Sequence, residues 1–215
     1  SVSAGVGASI TGGALSLSTG EGTASSSGAI VMKTVNAGTS GVSGALSFTS
    51  GTTSRGASGS ITLATGTATN GKGGNIVLSV SPGTASIDPT DTGGDVIVRA
   101  GDSTAATTTG SGGAISLTTG LGTERSSGDF IVHTSNAGSS GVSGKLSFTS
   151  GTSSVGNSGL ISLTTGAATN GKGGNYLVSI GTGTTGNGGD FKLEAGETSS
   201  ANARGGMISL TAGKG

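Results

Sequence analysis

The sequence predicts an all-β protein, a parallel β-solenoid built from thirteen strand-turn units of mostly 15–16 residues. Three observations predict it. Apolar residues recur at every second position within short segments, glycines bracket those segments, and the segments follow one another at a nearly fixed interval.

Taken in order, the first six segments read GGALSLSTG (12–20), SGAIVMKTV (27–35), SGALSFTSG (43–51), SGSITLATG (58–66), GGNIVLSVS (73–81) and GGDVIVRAG (93–101). The next six read GGAISLTTG (112–120), SGDFIVHTS (127–135), SGKLSFTSG (143–151), SGLISLTTG (158–166), GGNYLVSIG (173–181) and GGDFKLEAG (188–196), and the last is GGMISLTAG (205–213). The interval stretches to 20 and 19 residues around Pro82–Gly113 and to 17 near the end of the chain. A longer period lies above the short one, because residues 12–82 recur as 112–182 with about two-thirds identity. The expected organisation is a single domain over 1–215, with a six-unit block, 12–111, duplicated as 112–204 and a last unit at 205–215.

Within each segment the positions of Leu15 and Leu17 are apolar in all thirteen copies, as in Ile61 and Leu63, Phe130 and Val132, or Tyr176 and Val178. Period two with β-branched and aromatic residues marks a half-buried strand, so these positions, Phe48 and Phe148 among them, are the candidate core. The flanking glycines mark corners, where backbone angles that a Cβ forbids are needed. One such unit cannot bury its apolar face alone, whereas stacked copies can. The outward positions sort best with three strands per turn, and one strand per turn is the alternative. Handedness is open.

Composition narrows the functional classes. Glycine fills 47 of 215 positions, 9% of residues are charged and 2% are aromatic. The 10 basic and 10 acidic residues cancel and are scattered singly, which speaks against nucleic acid or anionic membrane as partners. The absence of cysteine excludes disulfides and thiolate metal sites. No apolar run approaches the ~20 residues of a membrane-spanning helix. No segment reads as a secretory leader, so a mature or excised chain is expected.

With three strands per turn, one outward face carries no charge. Its residues are Ala14, Ser16, Ser18, Ser60, Thr62, Ala64, Ala114, Ser116, Thr118, Ser162, Thr164, Ser209 and Thr211, with Leu160 and Met207 beside them. On a sheet these hydroxyls and methyls would stand in ranks ~4.7 Å apart across strands and ~6.7 Å along them. A flat array of that kind suits ice: hydroxyls hold water in place while methyls favour cage-like water between them.

The units SGSITLATG, GGAISLTTG and SGLISLTTG resemble the Ser/Thr/Gly repeats of ice-binding proteins from polar microalgae, and the resemblance runs over essentially the whole chain. On the uncharged face strict Thr-x-Thr pairs are absent, and Ser-x-Thr takes their place at Ser116/Thr118, Ser162/Thr164 and Ser209/Thr211. The resemblance implies a secreted, extracellular antifreeze protein that adsorbs to an ice crystal surface and performs no catalysis. The expected protein is a monomer with no cofactor, no metal, no nucleic-acid partner and no membrane insertion. The alternative is an extracellular structural or adhesin-like repeat domain binding a cell-surface glycan or protein.

Other features carry less. The insertion 81–95 holds Pro82, Pro89, Asp88, Asp91 and Asp95, with Asp102 after the next segment, and oxygen-rich loops can bind calcium. Its spacing fits no calcium-loop pattern, so a solvated loop is expected. The single histidine, His133, has no nucleophile at a fixed spacing. Asp95, Asp129 and Asp190 share a position just before the core pair, but no acidic pair occurs in both halves of the duplication. The run Gly71–Gly74 lacks phosphate-loop spacing and a helix to follow it.

Overall fold

Glycine, serine and threonine are frequent between the segments, and the backbone is irregular through the segments as well. In the computed structural model, which describes residues 1–8, 11–83, 92–104 and 110–214, there is no helix and no strand among the described residues. The expected parallel β-solenoid, with its thirteen stacked units and three strands per turn, is therefore corrected: the segments exist, but no ladder joins them. The solvent-accessible surface is 21241 Å². A compact monomer of this mass exposes about 8,600 Å² and a fully unfolded chain about 29,000 Å², so roughly three-quarters of the unfolded surface remains open to water.

The physical reason lies in the residues. Two apolar core positions per 15–16 residues offer little burial, and glycine loses more backbone freedom on ordering than any other residue. Pairing would have to supply the rest, yet glycine-rich strands specify their register weakly. Folded proteins hold about one hydrogen bond per residue. Here six backbone–backbone hydrogen bonds join the described residues.

By contacts the chain divides into two units, Ser1–Ile115 and Ser116–Gly215. In the first, the chain bends at 23–25, 39–41, 54–56 and 69–71, each time between two predicted segments. Gly41 (φ 114°), Gly56 (φ 92°) and Asn70 (φ 61°) take left-handed or related backbone angles there. Asparagine tolerates that region better than other side chains do, which explains why a non-glycine residue stands at 70.

In the second unit the chain bends at 123–125, 139–141, 154–156, 169–171 and 184–186. A turn closed by Ala203 N–H donating to Ser200 C=O at 3.2 Å precedes the last segment. Gly141 (φ 121°), Gly156 (φ 95°) and Asn170 (φ 61°) repeat the angles found 100 residues earlier, and Gly186 (φ 80°) adds one more. The duplication in sequence is thus a duplication of local backbone conformation.

Order concentrates where a loop closes. The second glycine of each of the thirteen segments lies against the residue that ended the preceding stretch. A Cβ built on Gly28 would stand 3.2 Å from Thr19 Cβ, one on Gly74 3.3 Å from Thr65 Cγ2, and one on Gly189 2.9 Å from Ile180 Cγ2. Gly13, Gly113 and Gly206 meet Ala4, Ala100 and Ala195 in the same way, each at 3.4 Å. At these three necks the glycine N–H donates to Gly5, Gly101 and Gly196 C=O at 2.9, 2.9 and 2.8 Å. Gly28 and Gly128 donate to Gly20 and Gly120 at 3.4 and 3.1 Å, and Thr19 Oγ1 donates to Gly28 C=O at 3.1 Å. The closures span nine or ten residues at most necks and up to fourteen between Val80 and Gly94. Doubling a loop costs only about 0.6 kcal/mol, so this difference is small.

The two-faced pattern survives in muted form. All twenty-six candidate core positions are exposed, from 47% at Ile208 to 87% at Leu210, so none forms a core. The apolar residues on the opposite face, such as Val31, Val77, Ile131 and Leu177, lie towards the open end of that range, at 74–84%. Leu15, Leu17 and Thr19 share one parity, and Thr19 sits at a neck. The neck therefore slightly shades the face that the alternation assigns inward.

Candidate functional site

All thirteen residues of the predicted ice-binding set are described and solvent-exposed. Ala14, Ser16, Ser18, Ser60, Thr62, Ala64 and Ala114 lie in the first unit; Ser116, Thr118, Ser162, Thr164, Ser209 and Thr211 lie in the second. No backbone hydrogen bond among the described residues ties one of their segments to another beyond the necks. The ranked spacing that a sheet would impose on their hydroxyls is absent with the sheet. The residues share chemistry and exposure, and they do not form a fixed lattice.

Electrostatics add one feature. Arg99 and Asp102 form an ion pair between exposed side chains, three residues apart on either side of Ala100 and Gly101. Exposed pairs of this kind contribute about 0–1 kcal/mol. Asp102 is thereby engaged by a guanidinium, and Asp95 stands exposed in its own segment. Asp88, Asp91 and Pro89 of the considered calcium loop lie outside the described residues. No cluster of three or more His, Asp or Glu residues with metal-binding placement occurs among the described residues. His133 is exposed. No helix among the described residues is long and apolar enough to cross a membrane.

The side chain–backbone bonds serve the loops. Thr53 Oγ1 donates to Arg55 C=O at 2.6 Å and accepts from Arg55 N–H at 3.3 Å, and Ser153 Oγ donates to Val155 C=O at 2.9 Å at the position 100 residues on. Thr198 Oγ1 accepts from Ser200 N–H at 3.2 Å. Hydroxyls here compete for backbone groups that a ladder would otherwise use.

Sequence reasoning missed the necks. Their signal is visible in the sequence: the residue two after each of the first twelve core pairs is Thr, Ser, Ala, Val or Ile, and the second glycine of the next segment stands against it. The alternation assigns those glycines to corners and says nothing of the side chain each one meets.

The chain matches no protein-family model, and no curated protein or solved structure matches it. The likeness to microalgal ice-binding repeats rests on the segment pattern.

Proposed function

We propose that the chain is an extracellular, non-catalytic structural or adhesive repeat that engages a cell-surface glycan or protein through its recurring exposed segments. The observation that carries this reading is the exposure of both apolar and hydroxyl-bearing positions along the array, with no buried residue among them. Such segments offer unpaired N–H and C=O groups flanked by alternating side chains, the chemistry by which an extended chain adds to a partner. Repetition favours many weak contacts acting together over one tight site. The scarcity of aromatic rings, 2% of residues, favours protein over glycan. The test is capture of chain-coated beads on protein-coated and glycan-coated surfaces. Saturable capture, stronger for the whole chain than for residues 116–215 at equal coating density, is the expected result. No capture on either surface would discard the reading.

Ice adsorption is the second reading, favoured by the absence of charge from the thirteen exposed Ser, Thr and Ala positions. Thermal hysteresis separates the two. If ice binding holds, Thr118→Tyr or Thr164→Tyr abolishes hysteresis, because a bulky ring holds the hydroxyls off the crystal. Substitutions at Arg99 or Glu194, outside the set, then leave it unchanged. A parent chain without hysteresis ends this reading.

A further inference from the structure

Asn70 and Asn170 are the only non-glycine residues with positive φ among the described residues, and each is followed directly by glycine in the same run, Asn-Gly-Lys-Gly-Gly. We propose that these two Asn-Gly pairs are sites of spontaneous, succinimide-mediated deamidation, so that the chain carries a duplicated self-modification site.

The geometry favours the reaction. Both asparagines are exposed at bends, open to water and hydroxide. A Cβ on Gly71 would meet nothing within 4 Å, and one on Gly171 would meet only Ala168 Cβ at 3.9 Å, so neither follower is crowded. Neither glycine N–H donates a backbone hydrogen bond among the described residues. The nitrogen is therefore free to lose its proton to solvent hydroxide and to swing towards the preceding side chain.

The chemistry balances within the chain plus water. The deprotonated Gly71 nitrogen attacks Asn70 Cγ and forms a C–N bond. The bond from Cγ to the side-chain nitrogen breaks, and that nitrogen takes up a proton and leaves as ammonia. The succinimide left behind is opened by one water molecule. Attack at one carbonyl gives aspartate, and attack at the other gives isoaspartate, whose main chain runs through the former side chain. Nothing is oxidised or reduced. Gly171 and Asn170 react in the same way.

The consequence is specific to this sequence. Both asparagines lie inside a loop closed by a neck, Thr65 against Gly74 and Thr165 against Gly174. Isoaspartate inserts one extra main-chain carbon into that loop. Each conversion also adds a negative charge two residues from Lys72 or Lys172, in a chain whose formal net charge is +0. Other asparagines are differently placed: Asn75 precedes Ile76, Asn175 precedes Tyr176, and Asn36 and Asn136 precede alanines, so a side chain stands beside the attacking nitrogen. Asn187 precedes Gly188 and is expected to convert as well, at its own rate.

The test is incubation of the intact chain at mildly alkaline pH in heavy-oxygen water, followed by peptide mapping and methyl labelling with an isoaspartate-specific methyltransferase. The expected result is conversion at Asn70 and Asn170 at matching rates, with one heavy oxygen incorporated, isoaspartate exceeding aspartate, and Asn75 and Asn175 intact. Gly71→Ala and Gly171→Ala should slow the conversion several-fold. The proposal is overturned if both asparagines persist while Asn187 converts. It is equally overturned if the product is aspartate alone or if the alanine variants convert as fast as the parent, since either means direct hydrolysis without the ring.

Discussion

A heating scan of this chain in dilute buffer is expected to show no cooperative heat-absorption peak. A compact protein of 215 residues unfolds with about 150 kcal/mol of enthalpy, at roughly 0.7 kcal/mol per residue. That enthalpy comes from breaking a packed interior and its hydrogen bonds, and here every candidate core residue is already in water. Phe48 and Phe148 make the point locally. The strand pattern places both inside, where truncation to alanine would cost ~3–5 kcal/mol. They stand 61% and 67% exposed, so Phe48→Ala and Phe148→Ala are expected to leave the thermal response unchanged. A sharp peak that either substitution moves to lower temperature would refute the structure's central feature.

The second large effect is expected at Gly122. A Cβ there would lie 2.6 Å from the Arg125 carbonyl oxygen and would also collide with that of Ser126, inside the loop closed by Gly128 N–H and Gly120 C=O. Backbone atoms on both sides leave no flexible side chain to yield. Gly22 is placed in the same way against Ser25 and Ser26, at 2.5 Å from each carbonyl oxygen. Gly122→Ala should therefore open its neck and raise the amide exchange rate of Gly128 by up to about tenfold, the equivalent of one net hydrogen bond. The Gly113 amide, at a different neck, should keep its rate. By contrast Gly38→Ala and Gly51→Ala should be silent, since nothing lies within 4 Å of either position. Unchanged exchange at Gly128 in the Gly122 variant would mean that the loop does not depend on this contact.

What the sequence revealed was local, and what it hid was collective. The bends at 23–25, 39–41, 54–56 and 69–71 fall where glycine and polar runs interrupt the alternation, and their counterparts follow 100 residues later. Asn70 and Asn170 share one φ because the same neighbours surround each in sequence. Even the inward and outward parity of Leu15 and Val31 leaves a trace in their exposure. Period two, however, says which side chains would point inward if strands paired. It does not say that they pair. Pairing depends on the balance between ladder bonds, scant apolar burial and the freedom lost by glycine, and no single segment carries that balance. The candidate site inherited the error. Ser116 and Thr118 are exposed, as the candidate core residues are, and the spacing expected between them and Ser162 and Thr164 depends on a sheet that is not there.

The necks give the chain a mechanical property. Between Thr19 and Gly28 the backbone makes a detour of nine residues, roughly 30 Å of contour when drawn straight, while its two ends stay within a few ångströms. Tension applied along the array would part such a contact before straining any covalent bond, and would release that slack as extension. Thirteen such contacts, each a Thr, Ser, Ala, Val or Ile side chain against a glycine, would give up their slack one after another.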